Sequence, residues 1–215
     1  MDEFTSAEEA LAGVHEVVHA IGPDDLRRST PCDDWDVAEL ADHLIDTISR
    51  LGAAAGIVLT GTNAGSVDER IQQVTRPILA GWRHLGLARD VRFSGRTLPS
   101  PLALGILSLE LLVHGWDFAV ALHRPFHVSD AHAAFILGLA RQTLTAESRV
   151  TAGFDPPVAV STDASSLDQL VAFTGRDPRQ MNPGGACQSP GDAVAATRCC
   201  ASLGSCRSPD VPYFR

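Results

Sequence analysis

Residues 100–122 read SPLALGILSLELLVHGWDFAVAL, from Ser100 to Leu122. The stretch opens like a helix: Ser100 can cap free N–H groups, and Pro101 suits the first helical position. It is apolar almost throughout, interrupted by Glu110, His114 and Asp117. At about 100° per residue these three fall within an arc of about 60°. A helix that is apolar on every side is a buried one, so the polar line faces the interior. A buried carboxylate costs several kcal/mol unless it is paired, so Glu110 needs a cation, a metal or a proton. Glu110 and His114 stand one turn apart, close enough to share a metal ion. The length would also suit a membrane span. Three ionisable groups in mid-segment, and no second segment like it, favour a core helix.

The chain has 215 residues and a formal charge of −9, enough length for one full domain with a real core. The negative charge argues against a nucleic-acid groove and against an anionic membrane surface. The N-terminal MDEFTSAEEA is acidic and carries no apolar run, which predicts no signal peptide and a cytoplasmic location. Cys32 stands alone, whereas Cys187, Cys199, Cys200 and Cys206 crowd the C-terminal end. That is neither a secreted disulfide framework nor a zinc-knuckle spacing.

Outward from the central stretch, the pattern predicts four long antiparallel helices: 6–21, 36–58, 66–87 and 100–122. Ser6 with Glu9, Asp36 with Glu39, and Ser66 with Glu69 read as capping boxes for the first three. Thr60–Gly65 and Asp90–Leu98 read as loops. Ser129 caps a fifth helix reaching about Leu144. Pro156–Val160 reads as a short extended piece, followed by a short helix over Ser165–Phe173. The expected fold is all-α: an antiparallel four-helix bundle with an extra helix and a short C-terminal strand–helix piece. Residues 1–178 form the domain. From 179 to 215 the composition turns to Gly, Pro, Ser, Ala and Cys without periodicity, which predicts a mobile tail.

His43 lies at the edge of the second helix's apolar stripe, where a side chain lines a cleft between helices. With Glu110 and His114 it makes two imidazoles and one carboxylate, a donor set for zinc or another divalent ion with open positions. The same residues also allow a buried Glu110–His114 ion pair, with His43 half-exposed.

Three stretches, TPCDDWDVAELADHL, LPSPLALGILSLELLVHGWDFAVAL and FDPPVAVSTDASSLDQLVAFTGRDP, resemble the metal-binding domain of mycothiol-dependent maleylpyruvate isomerases, a branch of the DinB-like four-helix bundles. The resemblance covers roughly the first 180 residues. It implies His43, Glu110 and His114 as metal ligands. A metal held by that set keeps an open position and residual positive charge, and a small thiol placed there ionises near neutral pH. The implied chemistry is S-transfer to a small electrophile, or isomerisation by reversible addition to an activated double bond, with mycothiol as the implied thiol. Asp117, one turn beyond His114, is a candidate to orient the imidazole. A non-catalytic metal- or ligand-binding stress-response module is the alternative. The expected partners are a small thiol and an electrophilic substrate, without nucleic acid or membrane, and the reading allows a homodimer.

Other candidates are weaker. His15-Glu16-Val17-Val18-His19 matches H-E-x-x-H. Val14, Val17 and Val18 claim the buried face, however, so a surface histidine pair is expected rather than a metalloprotease. Pro125 separates His123 from His127, which places both in a loop. His132, in the first turn of its helix, is expected to face solvent. Cys32 reads as a packed turn cysteine, or else as a thiol activated near a helix N-terminus. Trp35 and Trp116 read as core residues.

Overall fold

A computed structural model describes residues 1–32, 35–59 and 64–181. Seven α-helices and one hairpin follow in order: α1 Glu3–Val18, α2 Val37–Ala54, α3 Val67–Leu85, β1 Asp90–Phe93, β2 Arg96–Pro99, α4 Ser100–Ala121, α5 Asp130–Thr143, α6 Ala146–Ala152 and α7 Ser166–Phe173. The fold is all-α, as the periodicity indicated, with one small sheet where a loop was expected. Thr60–Asn63, the expected tail beyond Met181 and its four cysteines lie outside the described residues.

The capping boxes of α2 and α3 form as read. Asp36 Oδ1 accepts from the Glu39 N–H at 2.9 Å while the Asp36 N–H donates to Glu39 Oε2 at 2.9 Å. Ser66 and Glu69 reciprocate in the same way. At α1 the sequence misleads. Asp2 is the cap, accepting from the Thr5 N–H at 2.9 Å, and the helix begins at Glu3. Ser6 is fully buried instead, because α5 packs over it. Ser100 does not cap α4 either. It is already helical, and its hydroxyl and N–H both donate to the Arg89 carbonyl.

The stretch read as a loop between α3 and α4 is an antiparallel hairpin, with Asp90 opposite Pro99 and Phe93 opposite Arg96. Ser94 and Gly95 both have positive φ (48° and 75°), the backbone that a tight two-residue hairpin requires. Pro156–Val160 forms no strand. The Val158 N–H donates to the Ala172 carbonyl at the end of α7 and leaves no ladder. An additional helix, α6, follows α5, started by a Thr145–Ser148 capping box.

The four long helices pack as a closed ring, α1 against α4, α4 against α2, α2 against α3, and α3 against α1. Nearly all of α4 is buried, including all three residues of its polar line. By length and composition α4 alone, among the described residues, would suit a membrane, but 89% of that window is buried within the fold. It packs against α1, α2 and α5, and its Glu110 side meets His43 of α2.

Candidate metal centre

Three segments converge on the polar line of α4. The first is the turn before α2. Thr30 Oγ1 donates to the Trp35 carbonyl at 2.8 Å and accepts from the Cys32 N–H at 3.1 Å, and Ser29 bridges to Asp36. This ties both ends of the turn and lays the Trp35 ring on His43, with centroids 4.0 Å apart and planes 24° from parallel. The second is α2, which carries His43 to within 5.2 Å of the His114 ring, edge to face. The third follows α7. Gly175 takes φ +93°, and a Cβ there would lie 2.5 Å from that of Asp155, so the reversal needs glycine. Arg176, just beyond, turns back into the core.

Within the centre, Glu110 Oε2 stands 3.2 Å from His114 Nε2, and Asp117 Oδ2 stands 2.9 Å from His114 Nδ1. The imidazole is therefore gripped at both nitrogens by residues of its own helix. Arg176 clamps Asp117 with two bonds, Nη2 to Oδ2 at 2.9 Å and Nε to Oδ1 at 3.2 Å. Its Nη1 donates to the Thr174 carbonyl, and Cys32 Sγ lies 3.1 Å from Nη2 and 3.3 Å from Asp117 Oδ2. Glu110 is 8% exposed, His114 3% and Asp117 0%, so these charges interact with little screening by solvent.

The protonation balance follows from that burial. At Asp117, burial alone would favour the neutral acid, but the Arg176 charge and the bonds from His114 and Arg176 outweigh it and hold the carboxyl far below its usual range. At His114, burial disfavours charge, yet bonds to Asp117, Cys32 and Glu110 lift its pKa well above 6.5. Glu110 is likewise pulled down by His114 against its own burial. His43 moves the other way, to about 4, through burial first and the neighbouring His114 second. At neutral pH His43 is neutral, with the lone pair of one ring nitrogen free for a ligand.

Two groups of donors among the described residues have ligand atoms within 4.8 Å of one another: His43, Glu110 and His114, and Cys32, His114 and Asp117. In the second group the Asp117 carboxylate already faces a guanidinium, and a cation there would be repelled. The first group fits a divalent ion. It offers a neutral imidazole, a carboxylate and a second imidazole whose other nitrogen is held by a carboxylate. Its Glu110–His114 separation of 3.2 Å is near the roughly 3.4 Å between ligands sharing one tetrahedral ion with bonds of about 2.0–2.1 Å.

Residues 7–77 match the mycothiol maleylpyruvate isomerase N-terminal domain family. This is the family that the sequence resembles, matched here over the N-terminal third of the chain. The matching segment holds the Thr30–Trp35 turn and His43, whereas Glu110, His114, Asp117 and Arg176 lie beyond it. The chain is also 26% identical over 187 residues to uncharacterized proteins from two strains of Mycobacterium tuberculosis, covering 83% of this chain and 100% of each relative. No solved structure matches it.

Sequence reasoning did not single out Arg176. Its contact with Asp117 spans 59 positions, and a lone arginine after a glycine carries no periodic signal. Cys32, read as a packed turn residue or an activated thiol, proves to be half-buried beside Asp117 and Arg176. His15 and His19 sit on the outside of α1, with His15 Nδ1 2.8 Å from Asp68 Oδ1 and His19 Nδ1 2.9 Å from the His15 carbonyl. His123 closes α4 with φ +53°. His132 does not face solvent as expected: α1 covers it, and only 3% of it is exposed.

Proposed function

We propose that His43, Glu110 and His114 hold a divalent ion, zinc by donor type, on a DinB-like four-helix scaffold. The site would use a low-molecular-weight thiol such as mycothiol for S-transfer to, or isomerisation of, a small electrophile. The observation that carries this reading is the convergence of three donor atoms from two helices within 4.8 Å, with Asp117 on the far nitrogen of His114. The match to the mycothiol maleylpyruvate isomerase N-terminal domain supports the thiol.

Bound there, the ion supplies an open position and residual positive charge, which favour the ionised form of a thiol near neutral pH. The chain's own residues supply the rest. Asp117 fixes the ring orientation of His114 and raises its basicity, while Arg176 keeps Asp117 ionised in an interior that would otherwise protonate it. Trp35 covers one face of His43 and limits its rotation. The place of action is the cytoplasm, where small thiols are kept reduced.

The test is elemental analysis of the purified protein, followed by turnover of chlorodinitrobenzene with candidate thiols. One metal ion per chain, lost in His43→Ala, Glu110→Ala and His114→Ala but kept in His15→Ala and His19→Ala, is expected. Full occupancy in His43→Ala refutes the three-ligand assignment. Metal without turnover by any thiol leaves a non-catalytic binding module.

A further inference from the structure

A second site lies on the other side of α4. Leu112, about 200° around the helix from Glu110, floors a cavity of about 220 Å³ between α1, α4 and the segment leading into α5. We propose that this cavity binds a small organic ammonium, a cationic amine carried on a compact apolar body. The proposal does not depend on the metal reading.

The shape comes first. The volume falls below the roughly 300–1,000 Å³ of drug-sized pockets, so the ligand is small. The Phe126 ring forms one wall, and Gly115 makes room for it, whereas Gly13 lies at ordinary contact distance. A Cβ at Gly115 would lie 2.8 Å from Phe126 Cζ, and one at Gly13 would lie 3.5 Å from Cε2. An aromatic ring on the lining of a cavity is a group against which an ammonium can be held by cation–π attraction.

The charge points the same way. Glu9 and Glu16, two turns apart on α1, both line the cavity, and no arginine does. Glu16 has no ion-pair partner among the described residues. Glu9 has one, His132 Nδ1 at 3.4 Å. His132 is held in place from behind by Ser6, whose buried Oγ lies 3.1 Å from Nε2. A hydroxyl donating to Nε2 leaves the proton on Nδ1, directed at Glu9. Burial lowers the pKa of this histidine, so near neutral pH it orients Glu9 without cancelling its charge. The remaining ionisable group on the lining, His127, is an exposed rim residue. The cavity therefore presents two carboxylates, one positioned by a buried polar pair, against an apolar floor.

Benzylammonium is a suitable probe, with benzyl alcohol as its neutral counterpart, titrated into the full-length protein and followed by amide NMR shifts and calorimetry. The expected result is perturbation of residues 9–16 and 126–132, with benzylammonium binding about tenfold more tightly than the alcohol, the size of one charge-assisted hydrogen bond. Glu16→Gln, a change at an exposed position that leaves the fold intact, should remove most of that difference, and Glu9→Gln should remove the rest. Chelator-treated protein should bind the probe equally well, which separates this site from the metal centre. Equal binding of amine and alcohol, an unchanged affinity in Glu16→Gln, or shifts confined to other residues would each overturn the proposal.

Discussion

Replacing Arg176 with methionine tests the clamp that organises the centre. The substitution keeps the length and apolar stem of the side chain and removes both bonds to Asp117, at 2.9 and 3.2 Å. It leaves a carboxylate with no exposure to water, facing only His114 and Cys32. Breaking one partner of a buried pair costs about 3–5 kcal/mol, because the remaining charge is stranded. His114 is itself held in its charged form and supplies part of the missing countercharge, so a loss near about 3 kcal/mol is expected. For a chain of this size that is a fall in Tm on the order of 10 °C. Urea denaturation of chelator-treated protein measures it without interference from metal. Adding Asp117→Asn to Arg176→Met removes the stranded charge and should recover at least half of the loss. Arg176→Lys keeps the charge but not the planar fork, and should fall between Met and wild type. A loss below about 1 kcal/mol in the single variant, or no recovery in the double, would show that Arg176 and Asp117 are not coupled as the geometry requires.

Arg176→Met should also weaken metal binding about 10- to 100-fold, and Asp117→Ala by a similar factor, because both act through the orientation of His114; competition with a chelating dye measures this, and an undiminished affinity would contradict the role given to Asp117. Stability of the metal-free protein should fall as pH drops from about 6.5 toward 4, because the unfolded chain binds a proton on His43 that the folded chain refuses. His43→Phe, which keeps the stack on Trp35, should remove roughly 3 kcal/mol of that fall, read from urea midpoints across the pH range. Glu110 and Asp117, both lowered, act with the same sign at still lower pH, whereas the stability from the raised His114 is lost as pH rises through its folded value. Gly175→Ala should cost about 1–3 kcal/mol by thermal unfolding, since a β-carbon meets both a positive φ and the Asp155 backbone at 3.0 Å.

How much of this was legible in the chain depends on the range of the interaction concerned. The segment from Ser100 to Leu122 determined its own burial, since an unbroken apolar surface leaves a helix no other place, and the helical repeat alone aligned Glu110, His114 and Asp117. The edge position of His43 on α2 came from the same repeat. Capping boxes at Asp36 and Ser66 are three-residue signals and formed as written. Ser6 with Glu9 carried the same signal and failed, because α5 buries Ser6 against His132, 126 positions away, and Asp2 supplies the cap in its place. The hairpin at 90–99 was missed although Ser94-Gly95 is a two-residue turn, because two four-residue strands show too few alternations to stand out from a loop. What only the tertiary structure decided is the company each charge keeps: Arg176 on Asp117, Cys32 between them, Trp35 on His43, and Glu9 with His132 beside the cavity. Local patterns record which face of a helix avoids water. The partner of a buried charge is set by where distant segments come to rest, and no periodicity within either segment records that.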